Sequence, residues 1–296
     1  MSTPLPQPLR NTRVLSLALN LPGPAALMRC ARMGAECTKL EPPPAPGYPS
    51  ADPMGIYSPA AYATLHDGVR VVHAHLKTSE GQAALHDELA RTDVLITSFR
   101  PSALTKLGLG WDALQAQYPR LSLVRIVGAA AERAEEPGHD LTYLADAGLV
   151  TGTEMPPTLY ADMGGALMAS EAVLQALLER AHTGSGVCIE VALADAAAWL
   201  AQPRHWGLTT PDGDVGGHHA GYRIYPCADG RVAVAALEPH FAASLCAAAG
   251  LPATGDPKVL RAPDTHAAVA AFLRTQTRAQ LDALAAAQDI PLHTLA

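Results

Sequence analysis

Short apolar runs alternate with helix-like segments over the first half of the chain. Runs rich in valine, leucine and isoleucine predict buried strands at residues 14–19, 36–40, 69–76, 93–96 and 121–127. Helices are predicted between these strands at 25–33, which ends at a glycine, and at 81–90. Residues 42–59 are rich in Pro, Gly and Ser and predict an irregular loop. Because strands and helices alternate, we predict an α/β fold with an open, mostly parallel sheet.

The second half of the chain predicts a long helix, a strand and then a separate unit. The helix is amphipathic over 167–180, and the strand follows at 188–193. A β-hairpin is predicted at 222–236, because Asp229-Gly230 is a strong turn signal, and three helices follow at 239–249, 264–275 and 278–287. The predicted organisation is a large Rossmann-like domain at 10–200, a linker at 201–221 and a small α+β domain at 222–296.

Composition and charge exclude several classes of protein. The chain has 296 residues, of which 49% are hydrophobic and 17% charged, and this balance excludes a disordered chain. The net charge of −7 argues against a general nucleic-acid binder, which needs a basic surface. The five cysteines include no CxxC pair, and the apolar run at 14–19 is too short to span a membrane. We therefore expect a cytoplasmic protein with reduced thiols, whose partners include neither nucleic acids nor membranes.

Asp162 is the first candidate for a catalytic residue. It lies beside Gly164 and Gly165, just before the predicted long helix. The ordinary interpretation is a residue that caps the helix N-terminus. The functional interpretation is a base or a nucleophile, because the glycines allow a ligand to approach and the helix start supplies N–H donors. The residue pattern alone leaves both interpretations open.

Charged residues near the ends of predicted strands are further candidates. His139 lies in the loop after the fifth predicted strand, where α/β sheets commonly place ligand sites. Arg100 follows the fourth strand and could pair with a phosphate group, although a solvated surface arginine is the ordinary alternative. Glu238 precedes Pro239 and is explained equally well as a charge that complements a helix N-terminus.

Other common kinds of site are not indicated by the sequence. His205, His218, His219 and His240 lack the spacing of paired metal ligands, so no metal site is predicted. The sequence contains no GxGxxG, Walker or GxSxG pattern. Their absence argues against a dinucleotide enzyme, a nucleotide-binding protein and a serine hydrolase.

Short motifs distributed along the chain are informative as a set. They are Pro22-Gly23-Pro24, Lys39-Leu40-Glu41-Pro42-Pro43, Phe99-Arg100-Pro101, Leu107-Gly108-Leu109-Gly110 and Thr183-Gly184-Ser185-Gly186. Together they resemble the family III CoA-transferases, the CaiB–BaiF family, over residues 13 to 293. The resemblance implies a large Rossmann-like domain with a parallel sheet and a smaller α+β domain. It also implies a homodimer in which the two chains interlock.

Within that family the chain most resembles the α-methylacyl-CoA racemase branch. Gly138-His139-Asp140 with Tyr143 is similar to the loop that carries the catalytic histidine. Asp162 matches the catalytic aspartate, which acts as the nucleophile in the transferases. Glu238 matches a glutamate that supports the histidine.

The resemblance also implies how the substrate is held. Coenzyme A would enter as part of the substrate, and no tightly bound cofactor is expected. The residues that would contact CoA are Arg100, Gly138, Asp140 and Tyr143.

The implied chemistry is two-base proton transfer at C2 of a 2-methylacyl-CoA thioester. Inversion of that carbon needs one base on each face of a planar enolate, and His139 and Asp162 would supply them. A CoA-transferase with Asp162 as the nucleophile is the first alternative. A catalytically silent member that binds CoA or a partner chain is the second, because Leu65-His66-Asp67-Gly68 lacks the family's basic contact to the nucleotide. Relative to the family, the resemblance also implies a C-terminus shortened at Ala296.

Overall fold

The computed structural model describes residues 6–296, which form two compact units. The chain passes from the first unit to the second between Ala201 and Gln202, so residues 202–221 of the predicted linker 201–221 fall in the second unit. Within the described residues, no helix combines the length and apolar character needed to cross a membrane.

A six-stranded sheet, parallel throughout, forms the centre of the first unit. Its strands are β1 (Arg13–Ser16), β2 (Glu36–Glu41), β3 (Arg70–His73), β4 (Val94–Thr97), β5 (Ser122–Val127) and β6 (Cys188–Ala192). The spatial order is β3-β2-β1-β4-β5-β6, which confirms the predicted α/β class. The chain reverses its direction of winding between β1 and β4. Such a switch point opens a crevice at the carboxyl ends of the strands, where α/β proteins bind ligands.

Helices cover both faces of this sheet. They are α1 (Pro22–Arg32), α2 (Pro53–Tyr57), α3 (Pro59–Leu65), α4 (Ser79–Leu89), α5 (Pro101–Lys106), α6 (Trp111–Gln117), α7 (Asp140–Asp146), α8 (Tyr160–Thr183) and α9 (Leu193–Leu200). A short 3-10 helix lies at Ala131–Glu135. The prediction of an irregular loop over 42–59 is wrong for its last part. There Asp52 accepts a hydrogen bond from the N–H of Met54 and caps α2.

Alternate side chains of the central strands point to opposite faces and build two apolar cores. Val14, Ile96 and Val124 pack on one face with residues of α1 and α8. Leu15 and Leu95 pack on the other face with leucines of α4, α5 and α6. All four residues of β4 are buried. Burial on both faces explains why these strands read as continuous apolar runs in the sequence.

The long helix α8 begins earlier than the sequence predicts. Its first residue is Tyr160, whereas the apolar periodicity indicates a start at residue 167. Glycine destabilises the interior of a helix, so Gly164 and Gly165 favour a loop over a helix at this position in the sequence. In the structure these glycines let α8 pack closely on α9, since a Cβ at Gly165 would lie 2.2 Å from a methyl carbon of Leu193. Tertiary packing therefore overrides the local preference.

Among its described residues the second unit combines a small antiparallel sheet with five α-helices and a short 3-10 helix at Asp214–Gly216. The strands are β7 (Tyr222–Cys227), β8 (Gly230–Ala235) and β9 (Leu292–Leu295). The helices are α10 (Gln202–His205), α11 (Pro239–Ala248), α12 (Pro257–Leu260), α13 (Pro263–Thr275) and α14 (Arg278–Gln288). Cys227 pairs with Gly230, which confirms the predicted hairpin. The sequence reasoning did not identify β9, which pairs with β8 in this sheet.

Candidate active site

A cavity of about 610 Å³ opens at the carboxyl edge of the six-stranded sheet. Its walls come from the segments that follow β1, β4 and β5, together with α7 and the first turn of α8. These segments meet where β1 and β4 lie side by side, at the switch point of the sheet. The fold therefore brings together side chains that are far apart in sequence.

The segment after β5 is fixed by hydrogen bonds on both sides. Oε2 of Glu190 forms an ion pair with Arg125 at 2.7 Å. Oε1 of Glu190 accepts a hydrogen bond from the N–H of Ala131 at 3.2 Å. Ala131 has φ of +54°, a left-handed conformation that is costly for a residue with a Cβ. Further along, Glu135 accepts from the N–H and the hydroxyl of Ser102 at 2.8 and 2.9 Å. These contacts set the path of the chain toward α7.

His139 is the residue immediately before α7, and its side chain lines the cavity. The hydroxyl of Thr142 accepts from the N–H of His139 at 3.0 Å and donates to its carbonyl oxygen at 2.7 Å. The residue is exposed, so the imidazole is accessible to a ligand in the cavity. The helix start thus fixes the backbone of His139 while its ring stays available for proton transfer.

Asp162 lies inside the first turn of α8 rather than before it. Its backbone N–H donates to Oδ1 of Asp140 at 2.9 Å. Asp140 is only 5% exposed and is the first residue of α7. Asp162 therefore does not cap the helix, which was one of the two interpretations left open by the sequence. Leu159 occupies the cap position without a side-chain bond, and Asp140 supplies an acceptor for an otherwise unpaired N–H. The same contact ties the two helices that carry His139 and Asp162.

The surroundings of Asp162 make its carboxyl group a weaker acid than an ordinary aspartate, with a raised pKa. Burial, followed by the negative charge of Asp140, raises the pKa of Asp162 from 3.8 to about 6. The nearby His139 acts in the opposite direction and favours the carboxylate. A carboxyl group with a pKa near 6 can both accept and return a proton at neutral pH. His139 lines the same cavity, so the two residues could exchange the roles of acid and base.

Tyr143 and the glycines around it form another part of the wall. A Cβ added at Gly128 or at Gly138 would lie 2.3 or 2.5 Å from the hydroxyl oxygen of Tyr143, so both positions require glycine for this packing. Burial and the charge of Asp162 raise the pKa of Tyr143, while Arg100 acts to lower it. The Tyr143 hydroxyl is thus under the influence of both charged groups.

Arg100 lines the same cavity at the start of α5. Across the part of the chain that the structure describes, its guanidinium makes no hydrogen bond or ion pair. Arg100 is exposed and is available to an anionic ligand. The structure therefore places His139, Asp140, Asp162, Tyr143, Gly138 and Arg100 around one cavity.

Glu238 belongs to the second unit, where it occupies the cap position of α11. It is exposed and makes no side-chain capping bond. Its support of His139 stays a prediction.

Sequence reasoning did not name four polar residues of the cavity wall as site candidates: Asn20, Tyr57, Ser98 and Glu136. Asn20 follows β1 directly, so the rule that ligands bind at the carboxyl ends of parallel strands could have found it. Tyr57 comes from α2, inside the stretch that was expected to be irregular. No local pattern in the sequence indicates that Tyr57 lies beside the catalytic candidates.

Curated enzymes of two kinds are similar to this chain. Mouse α-methylacyl-CoA racemase is 31% identical over 274 residues, which cover 86% of this chain and 68% of that protein. The succinyl-CoA–D-citramalate CoA-transferase of Chloroflexus aurantiacus is 30% identical over 247 residues, which cover 76% of this chain and 60% of that protein. The chain thus spans about two thirds or less of the length of such relatives.

A family model and solved structures also match this chain over nearly its whole length. Residues 9–296 match the family model of CoA-transferase family III. A crystal structure of a hypothetical protein from Mycobacterium tuberculosis gives a TM-score of 0.81 at 25% identity, covering 98% of this chain and 85% of that one. A CAIB/BAIF family protein from Brucella suis gives a TM-score of 0.80 at 25% identity, covering 99% and 85%. The fold expected from the sequence motifs is confirmed.

Proposed function

The chain belongs to CoA-transferase family III, and from this premise we propose that it is an acyl-CoA racemase. Its substrates would be 2-methylacyl-CoA thioesters, and its reaction would invert the configuration at C2. The observation that carries the proposal is the placement of His139 and Asp162 around one cavity, with the pKa of Asp162 raised to about 6.

The reaction divides into two proton transfers. One base takes the C2 proton, and the electron pair of the broken C–H bond moves into a planar enolate whose oxygen carries the charge. The other group then returns a proton to C2 from the opposite face. In one direction Asp162 is the base and protonated His139 is the acid, and in the reverse direction these roles exchange.

CoA itself would be held by the polar part of the same cavity. The guanidinium of Arg100, which has no hydrogen-bond or ion-pair partner among residues 6–296, lies in that wall and suits a phosphate group. Gly138 allows close approach of the ligand to the backbone, and the Tyr143 hydroxyl and Asp140 lie beside it. Asp140 accepts a hydrogen bond from Asp162, so any contact it makes with CoA would be coupled to the catalytic carboxyl group. We propose that the reaction uses no tightly bound cofactor.

A CoA-transferase is the second candidate, and the transferase from Chloroflexus aurantiacus at 30% identity supports it. In this reaction the Asp162 carboxylate attacks the thioester carbonyl, the C–S bond breaks and CoA leaves as a thiolate. The thiolate then attacks the aspartyl carbonyl of the resulting anhydride and releases the free acid, which leaves an aspartyl-CoA thioester. His139 has no required role in these steps.

One experiment separates these functions. The purified protein is incubated with a single enantiomer of a 2-methylacyl-CoA, and inversion at C2 is followed by chiral chromatography. A parallel sample with hydroxylamine tests for a hydroxamate at Asp162 by peptide mass spectrometry. Inversion without a hydroxamate supports the racemase, and a hydroxamate without inversion supports the transferase. Binding without either product would identify the catalytically silent member.

Assembly and location are part of the proposal. We propose a homodimer, because six large apolar side chains of the first unit are exposed on α8 and α9. They are Tyr160, Met163, Leu167, Leu178, Trp199 and Leu200. An exposed apolar face of this kind is typical of a protein–protein interface. We also propose a cytoplasmic location, which suits the free cysteines Cys30, Cys37, Cys188, Cys227 and Cys246.

A further inference from the structure

Asn20 lies in the cavity wall directly after β1 and has an unusual backbone conformation. Its φ is +66°, in the left-handed region that only glycine occupies freely. Asparagine tolerates this region better than most residues, yet the conformation persists only where neighbouring contacts hold it. Such positions concentrate at functional sites, so the contacts of Asn20 are informative.

A buried ionic cluster holds the backbone of Asn20. The N–H of Asn20 donates to Oδ1 of Asp52 at 3.0 Å. The other oxygen of Asp52 forms an ion pair with Lys39, which also pairs with Glu41 at 3.1 Å. The side chains of Lys39, Glu41 and Asp52 are fully buried. Burying three charged groups is costly, and here the cluster fixes the position of a residue that lines the cavity.

The side chain of Asn20 is oriented by Tyr57. Oδ1 of Asn20 accepts from the Tyr57 hydroxyl at 3.2 Å. Nδ2 makes no hydrogen bond with any of residues 6–296. It is also not one of the side-chain atoms that are both buried and unpaired, so it is not buried. Nδ2 is therefore an accessible donor on a residue of the cavity wall. Burial, and then the charges of Asp52 and Asp162, raise the pKa of Tyr57, which shows that Tyr57 lies within the electrostatic range of the catalytic carboxyl group.

We propose that Asn20 is a substrate-contacting residue whose Nδ2 donates a hydrogen bond to the carbonyl oxygen of the acyl-CoA thioester. The identity of this ligand rests on the proposed function. Negative charge moves onto that oxygen when C2 loses its proton, so a fixed donor stabilises the enolate more than the ground-state thioester. Asp52 and Tyr57 are positioning residues, because they hold the backbone and the carboxamide of Asn20.

Asn20→Gly is the variant that tests this contact. Glycine accepts the left-handed conformation without strain, so the substitution removes the carboxamide and keeps the backbone favourable. Asn11→Gly is a matched control, since Asn11 has φ of +65° but is exposed in the turn before β1, away from the cavity. Both variants should fold as the wild-type protein does, which circular dichroism checks.

The first readout is binding and does not depend on turnover. Calorimetry measures the dissociation constants of a 2-methylacyl-CoA thioester and of the thioether analogue in which CH₂ replaces the carbonyl. We expect the wild-type protein and Asn11→Gly to prefer the thioester by about 3- to 10-fold, the range for one neutral hydrogen bond. Asn20→Gly should lose this preference through weaker binding of the thioester alone.

The second readout is the rate of C2 proton exchange in D₂O. Asn20→Gly should lower this rate by about 100-fold, as the loss of one donor to a developing oxyanion does. A thioester preference that survives in Asn20→Gly overturns the inference, and so does a wild-type protein that binds neither ligand. If the wild type shows the preference but exchanges no proton, the contact stands and the racemase function fails.

Discussion

Asp140→Asn tests how the cavity adjusts the acidity of Asp162. Asparagine keeps an Oδ1 atom that can accept from the N–H of Asp162, as the carboxylate does at 2.9 Å. The substitution therefore removes a negative charge and preserves the hydrogen bond that joins α7 to α8. Any change in the pKa of Asp162 then reports electrostatics rather than a loss of structure.

The expected magnitude follows from the causes of the raised pKa. The pKa of Asp162 rises from 3.8 to about 6, with burial as the larger cause and the charge of Asp140 as the second. Asp140 is thus the smaller of the two causes that raise the pKa, and Asp140→Asn should lower the pKa of Asp162 by about 0.5 to 1 unit. One unit corresponds to about 1.4 kcal/mol between the two protonation states.

Carbon-13 NMR of protein labelled at the aspartate carboxyl carbons measures this pKa directly. The signal that disappears in Asp162→Asn identifies the residue. Asp146→Asn is the control, because Asp146 is exposed at the end of α7 and is not among the groups that shift the pKa of Asp162. A wild-type pKa near 3.8, or the same pKa of Asp162 in Asp140→Asn and Asp146→Asn, would refute the reasoning.

The pH dependence of the reaction and the packing of three further residues can be tested independently. In the direction where Asp162 takes the proton, exchange should slow as pH falls through about 6, because the carboxylate is lost; a pH–rate profile checks this. Gly186→Ala would bring a Cβ to 1.9 Å from the carbonyl oxygen of Leu121, and it should lower the free energy of unfolding by about 1 to 3 kcal/mol. Gly152→Ala meets open space and should cost less in the same urea titration. Glu190→Ala removes the acceptor of the strained residue after β5, so amide hydrogen exchange should accelerate between β5 and α7.

The sheet could be predicted from the sequence because its strands are buried on both faces. Val94–Thr97 is an unbroken apolar run apart from its last residue, and it becomes a fully buried strand. The short helices α5, α6 and α7 were not identified, because each has only six or seven residues and no clear periodicity. Their stability comes from packing and from contacts such as that of Ser102 with Glu135.

The sequence identified several residues of the candidate site but not the hydrogen bonds that connect them. His139 and Asp162 stand out through their motifs, and both line the cavity. The bond between Asp140 and Asp162 joins residues 22 positions apart, and no local pattern indicates it. The contact of Tyr57 with Asn20 spans 37 positions. Contacts of this kind follow from the tertiary fold, so only the structure reveals them.

The central claim is that His139 and Asp162 act as two bases on one acyl-CoA. The most direct test incubates the protein with a 2-methylacyl-CoA in D₂O and follows deuterium at C2 by mass spectrometry. We predict exchange with both enantiomers in the wild-type protein. His139→Ala and Asp162→Ala should each lose at least about 100-fold of the exchange with one enantiomer, a different one in each variant, because each base takes the proton from one face. Full exchange with both enantiomers in either variant, or a wild-type protein that binds CoA without exchange, would contradict the two-base account.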